Sequence, residues 1–431
     1  MTRPPGRMAA LAYPDLRRYL SARFVVAIGL QMLTVAVGWQ VYEQTRNPLD
    51  LGLIGLSQFL PFIVLILPAG HMADRYDRRR IQMACYLLYA AAALILLGLS
   101  LAEVRSTLPV LGVMAAFGTA RAFNMPSSQS LLPNLVPPAA FGNAVALNTS
   151  MFQVATISGP AVAGLLILLG TEVVYSVVAA LFVGGSLLVV GLTAGGRGEQ
   201  PREPLSLGSL LSGITFVRGS RPVLGAISLD LFAVLFGGAT ALLPAFASDV
   251  LQVGPTGLGL LRAAPAVGAA MVGAFLAARP IRAGVGRWLF GGVAAFGAAT
   301  LVFGLSRSFA LSLIALAVLG GADMASMYVR HLLVQLQTPD LIRGRVSAVN
   351  SVFIGASNEL GEFESGLTAA WWGIVPAVLV GGFATLAVAV IWARLFPVLW
   401  HLERFPGQVP GSAMPPRAVA PSSAGPPAAP G

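Results

Sequence analysis

The chain has 431 residues, of which 56% are hydrophobic and only 10% charged, with a mean hydropathy of +0.79. Soluble domains carry about 25% charged and 45–50% apolar residues, so this composition excludes a soluble enzyme and a disordered chain. The net charge of +10 comes from 27 arginines lying between apolar runs, which reads as membrane orientation rather than as a nucleic-acid surface.

Lipid offers the backbone no hydrogen-bond partner, and the apolar runs lack the alternation of barrel strands, so each is read as a helix. In chain order the spans are expected at 19–42, 51–72, 81–101, 108–128, 142–168, 172–194, 222–248, 255–278, 287–305, 309–333, 346–369 and 373–395. The first run is too long for a cleavable signal and is read as a retained span. The expected fold is an all-α membrane protein of twelve transmembrane helices in two pseudo-symmetric six-helix bundles. The division is a cytoplasmic segment 1–18, a bundle 19–194, a polar linker 195–221, a bundle 222–395 and a tail 396–431. The tail is rich in Pro, Ala, Gly and Ser and is read as disordered.

Arginines fix the sidedness. With the N-terminus inside, the cytoplasmic segments and helix ends hold most of them, including Arg17, Arg18, Arg23, Arg75, Arg78, Arg79, Arg80, Arg279, Arg282, Arg287 and Arg330. The outer side has only Arg46, Arg105 and Arg307, with Arg262 near it. Both termini are therefore expected in the cytoplasm. Trp39, Trp371 and Trp372 fall near outer boundaries, where amphipathic rings prefer to sit.

The halves align on each other. At an offset of 204, Gly55, Pro61, Arg75 and Arg78 meet Gly259, Pro265, Arg279 and Arg282; at 202, Gly142, Asn148, Gly159 and Gly164 meet Gly344, Asn350, Gly361 and Gly366. Parallel halves related by an axis normal to the membrane form a transporter architecture with a substrate site near the midplane.

The loop between spans 2 and 3 reads GHMADRYDRRR over residues 70–80. Its charges alone could be a positive-inside anchor. The order Gly70, Ala73, Asp74, Arg75, Arg78, Arg79 resembles the signature loop of the major facilitator superfamily. That resemblance implies a gating latch made by Asp74, Arg75 and Arg78. Asp77 stands where the family commonly has glycine, which is expected to weaken the tight turn. Ala278 replaces the aspartate in the second copy. Residues 131–148, 201–217 and 333–351 are similar to the exporter branch that includes the enterobactin exporter, and Ser158-Gly159-Pro160 resembles the superfamily's helix 5 export signature. Glycine permits close packing there and proline frees a carbonyl, so Gly159 and Pro160 are candidate helix-bending residues.

Charges inside spans are costly and usually face the bundle interior. Asp230, Asp323, Glu359 and Glu362 are candidate proton-coupling acids, because burial favours the protonated form of a carboxylate; pairing with a nearby arginine is the structural alternative. Glu359 and Glu362 share a helix face. Arg121 aligns with Asp323 at offset 202 and is a candidate gate or coupling residue: the two could meet across the halves, or each could pair within its own half. Arg262 either attracts an anionic substrate or snorkels to the outer surface, the latter favoured. His71, His331 and His401 have no metal-ligand spacing, so neither a metal nor a cofactor is expected. Cys85 reads as a buried small hydrophobe.

These readings combine into a secondary active transporter: proton-coupled export of a small amphipathic molecule (siderophore, drug or metabolite) by alternating access. The expected setting is the plasma (inner) membrane of a bacterium, as a monomer whose partners are substrate, protons and the lipid bilayer, with no nucleic acid. An importer or uniporter on the same scaffold is the alternative. A membrane-embedded enzyme would need a catalytic constellation that the spacing does not offer, and no phosphate-binding loop is present for direct ATP use.

Overall fold

The computed structural model describes residues 9–193, 207–339 and 342–405, except for the side chain of Asp74 and a few others. Twelve helices account for most of them: α1 Pro14–Thr45, α2 Pro48–Arg75, α3 Arg78–Leu101, α4 Thr107–Leu131, α5 Pro138–Leu166, α6 Thr171–Val190, α7 Arg221–Phe236, α8 Gly254–Ala278, α9 Val285–Leu305, α10 Phe309–Gln337, α11 Arg343–Trp372 and α12 Ile374–Leu395. Each falls on an expected span. Most exceed the 20 residues that cross a bilayer at 1.5 Å per residue; α7 reaches that length only with its broken continuation. Ten of the spans are long and apolar enough to cross by composition. The other two are α4 and α11, which carry Arg121 and the acids Glu359 and Glu362. Their polarity is therefore a marker of the site.

Local chemistry sets the ends. Pro48 opens α2 behind Asn47, whose side chain accepts from the Leu49 amide at 3.1 Å, which satisfies one orphan donor. Asp77 does the same for α3, accepting from the Arg79 amide at 2.9 Å with φ −62°. The α2–α3 turn thus needs no left-handed residue, and Asp77 strengthens it rather than weakening it. The turns α5–α6 and α11–α12 do need one. Gly170 and Gly373 sit there with φ of 113° and 91°, the same device at matching places in the two halves.

Packing repeats as the residues do. α1 packs on α5 and α6, α2 on α4, and α3 on α4 and α6; correspondingly α7 packs on α11 and α12, α8 on α10, and α9 on α10 and α12. The halves meet along α2–α11 and α5–α8. The first half is filled by Tyr86, Tyr89, Phe117 and Phe182, stacked or tilted against one another with ring centroids 5.1 to 6.5 Å apart. Both described ends of the chain lie on one face, called here the terminal face; the α1–α2 turn lies on the opposite, distal face.

Two expectations change. The seventh span is not one helix over 222–248. It stops at Phe236, passes Gly237 and Gly238, and continues as a 3₁₀ turn Ala239–Leu242, a short α turn and a π turn Phe246–Val250. Two glycines and Pro244 weaken the helix, and Gly238 is pressed against Gly361 and Ser365 of α11, where an unkinked helix bearing side chains would not fit. Nor is the tail disordered from 396. Leu399 and Phe405 are buried, and the Gly286 amide donates to Leu402 O at 2.8 Å. The remainder of that tail and the polar part of the linker lie outside the described residues. The later linker forms a helix, Leu207–Gly219, packed on α11.

Candidate functional site

A cavity of about 370 Å³ opens between the halves, within the range of small-molecule sites. Its wall includes Gln31, Phe152, Arg262, Asp323, Asn358 and Glu362, from α1, α5, α8, α10 and α11. A second chamber of about 350 Å³ lies in the first half, lined by Arg23, Gln58, Tyr89, Arg121 and, again, Phe152. The charges come from α1, α4, α8, α10 and α11, because a charged side chain is tolerated at this depth only where it faces a cavity or a partner.

Most of the candidate acids and Arg121 come together here. Arg121 Nη1 donates to Glu359 Oε1 at 2.5 Å, bridging α4 and α11 across the halves, while its guanidinium lies 5.1 Å from the Phe62 ring centre. Its partner is Glu359 and not Asp323: the aligned position gave the level in the fold but not the partner. Glu362 shares the face of Glu359. Both carboxylates sit against Gly55 of α2, where a methyl group would lie 2.9 Å from Glu362 Oε2 and 3.5 Å from Glu359 Oε2. Glycine at that position makes room for the two acids.

Asp230 pairs with Arg330 of α10, both nearly fully buried. Arg330 is therefore not a solvated helix end but the counter-ion of an intramembrane acid. Removing one member of such a pair costs about 3–5 kcal/mol, because the other is left buried and charged. Asp323 is half-buried, faces the cavity, and makes no ion pair among the described residues. Arg262 does not snorkel outward. It lines the cavity, and its buried Nε has no hydrogen-bond partner.

On the distal face the halves are bonded by residues that sequence patterns did not connect. Tyr42 donates to Asp249 Oδ2 at 2.5 Å, and Arg46 Nη1 donates to Asp249 Oδ1 at 2.9 Å and Ser248 Oγ at 2.6 Å. Ser248 in turn donates to Glu43 Oε1 at 3.0 Å. These bonds tie the end of α1 to the π turn after α7. Arg46 adopts a left-handed backbone, φ 52°, costing about 1–2 kcal/mol, and holds it while bonded across the halves. The signal available was one arginine and four hydrogen-bonding side chains near two span ends, which in sequence carried no more weight than other polar residues there.

Glycines of the repeat close the same side. A methyl group on Gly164 of α5 would lie 2.5 Å from Pro255 O and 3.0 Å from Gly259 Cα of α8. One on Gly366 of α11 would lie 2.9 Å from Gly52 N and Pro48 O of α2. Small residues let these backbones touch. Gly159 admits Gln31 of α1, a methyl there lying 2.6 Å from the glutamine Cβ; α5 continues without interruption through Pro160.

On the terminal face, Arg78 Nε donates to Ala73 O and Nη1 to Ser130 O, each at 3.2 Å, while Arg79 Nη1 donates to Leu192 O at 2.8 Å. Arg75 is exposed, and the side chain of Asp74 lies outside the described residues. These contacts bind α2, α3, α4 and α6 of the first half together. The guanidinium of Arg79 also holds the Asp77 carboxyl below its usual range.

Comparisons with known proteins agree with this architecture. The family model described as transmembrane secretion effector matches residues 6–410. The enterobactin exporter EntS of Shigella dysenteriae serotype 1 is 27% identical over 414 residues, covering 93% of this chain and 96% of the relative. EntS of Escherichia coli O1:K1 / APEC is 28% identical over 415 residues, with the same coverage. Among solved structures, a bacterial homologue of the lysosomal transporter Spinster, inward-facing and unoccupied, superposes with a TM-score of 0.69 at 15% identity over 93% of this chain and 97% of that one. A D-xylose–proton symporter gives 0.69 at 12% identity over 90% and 99%.

Proposed function

The chain belongs to the transmembrane secretion effector family of the major facilitator superfamily, and from that premise we propose that it is a proton-coupled exporter of a small amphipathic molecule in a bacterial plasma membrane. The observation that carries this reading is the cavity between the halves, lined by Asp323, Glu362 and Arg262 and sealed on the distal face by the α1–α7 network. The arginine distribution supports a cytoplasmic terminal face. In that orientation the present state is closed to the outside.

Transport follows from two rocking bundles, 19–194 and 222–395, around a fixed site. Asp323 and Glu362, which face the cavity, exchange the proton; Asp230 and Glu359, already paired with arginines, hold their helices in register. Substrate entering from the cytoplasm displaces the proton. The bundles rock, the distal contacts part, and substrate leaves as a proton from outside takes its place. The unsatisfied Nε of Arg262 supports a substrate bearing a hydrogen-bond acceptor, and Phe152 and Phe296 offer apolar surface to the rest of it. The latch residues Asp74, Arg75 and Arg78, and the pair Gly159–Pro160, act on the rocking rather than on the substrate.

The test compares medium from cells with and without the transporter by metabolite profiling, with and without an uncoupler. The expected result is an amphipathic compound that accumulates outside only with the intact protein, is lost with Asp323→Asn, and is lost when the proton gradient collapses. Uptake of that compound into the same cells would overturn the export reading.

A further inference from the structure

The second copy of the latch loop has lost its acids and kept its arginines. Residues 279–287 contain Arg279, Arg282 and Arg287 and no Asp or Glu. Among the described residues their sole ion pair is Arg287 with Glu403 at 3.3 Å, both mostly exposed, so that pair is weak and exchangeable. The equivalent groove in the first half, between α2, α3 and α4, holds its own acid: Asp77, bonded to Arg79 at 3.0 Å.

Directly beside this loop lies an almost wholly apolar groove of about 750 Å³ between α8, α9 and α10. Exposed Met271, Ile314 and Val318 form its sides, and Arg287 and Trp288 line it where α9 begins. Gly291 leaves its floor open, with no atom within 4 Å of where a Cβ would stand. The groove is thus long and greasy, faces outward from the bundle, and ends at the terminal face beside Arg287, whose ion pair with Glu403 is exposed and exchangeable. An acyl chain fits the first part and a phosphate the second; basic pockets between helices at this level recognise anionic headgroups.

We propose that this groove is a binding site for one anionic phospholipid, its acyl chain lying between α8, α9 and α10 and its phosphate against the arginines of the 279–287 loop. Nearby Trp288 matches the position amphipathic rings take at a headgroup boundary. The lipid binds at the outer wall of the second half and touches none of the cavity residues.

The test uses the purified full-length protein in mixed micelles with phosphatidylglycerol or with phosphatidylcholine of the same chains, counting retained lipid by native mass spectrometry. The wild type is expected to retain phosphatidylglycerol preferentially. An Arg279→Gln, Arg282→Gln, Arg287→Gln triple variant, altered only at the surface, is expected to lose that preference, falling at about fivefold per arginine. Gly291→Leu, whose Cβ has open space and whose side chain would occupy the groove, is expected to lower retention of both lipids. Equal retention of the two lipids by the wild type, or undiminished retention of phosphatidylglycerol by Gly291→Leu, overturns the proposal.

Discussion

Helices α1 and α7 hold equivalent places in the two halves, yet α1 runs unbroken for 32 residues while α7 stops after 16 and continues in tight and wide turns to Val250. The same division runs through the surroundings. The first half is filled with stacked aromatics and offers its chamber the cations Arg23 and Arg121. The second half holds the cavity-facing acids Asp323 and Glu362, the Arg121 partner Glu359, and the buried Asp230–Arg330 pair. Shared packing therefore does not mean shared chemistry: one bundle contributes aromatics and cations, and the other the cavity acids and the kinked helix.

The strongest way to break this contrast is to unbalance the buried pair. Arg330→Ala leaves Asp230 charged and unpartnered, and is expected to cost about 3–5 kcal/mol in thermal or denaturant unfolding. Replacing both members with apolar residues of similar volume is expected to recover most of the loss. If the single variant unfolds like the wild type, Asp230 does not depend on Arg330.

Next come the seam glycines. Gly164→Val drives a side chain into Pro255 O and Gly259, and overpacking of this kind costs about 1–3 kcal/mol. Expressed against the distal-closed state alone, that shifts the balance of states about 5- to 150-fold. Gly142→Ala and Gly344→Ala, also repeat glycines but with nothing within 4 Å, are expected to leave the balance unchanged. Labelling of a cysteine at Thr34 by an impermeant reagent from the distal side reads all three.

Removing the distal ion pair has a smaller effect, because both partners are more than a third exposed. Arg46→Ala or Asp249→Asn is expected to cost the closed state up to about 1 kcal/mol, a shift of fivefold at most, in the same labelling assay. Of similar size is the α3 cap. Asp77→Ala is expected to cost about 1 kcal/mol and Asp77→Gly only a few tenths. Asp77 titrates below the usual aspartate value of 3.8 when folded. Its contribution is therefore full at neutral pH and lost only as pH falls through that lowered value. Melting curves of the wild type and Asp77→Ala should converge only in strong acid.

The number and order of helices were legible because ten of the twelve are strongly apolar runs, and the repeat was legible because seam and turn glycines recur at similar spacings. Polar residues in α4 and α11 marked the cavity wall. Partners were harder to read. Aligning the halves matches positions but does not say which helix a side chain faces, so Arg121, aligned with Asp323, pairs with Glu359 instead. The same uncertainty hid the inward course of Arg262 and the pairing of Arg330. The break in α7 depends on Gly238 lying against α11, a contact between segments more than a hundred residues apart, and the Tyr42–Arg46–Asp249 network joins the end of α1 to the π turn after α7, whose proximity only the assembled bundle creates.

The central claim is that the halves rock as bodies, so that opening one face closes the other. Spin labels at exposed Arg105 and Arg307 report the distal face, and labels at exposed Asn134 and Pro339 the terminal face, in a chain whose Cys85 has been replaced. Pulsed electron–electron resonance would measure both distances in the wild type and in an Arg46→Ala, Asp249→Asn variant. Rocking predicts that the variant lengthens the distal distance and shortens the terminal one together. A longer distal distance with an unchanged terminal distance would contradict it.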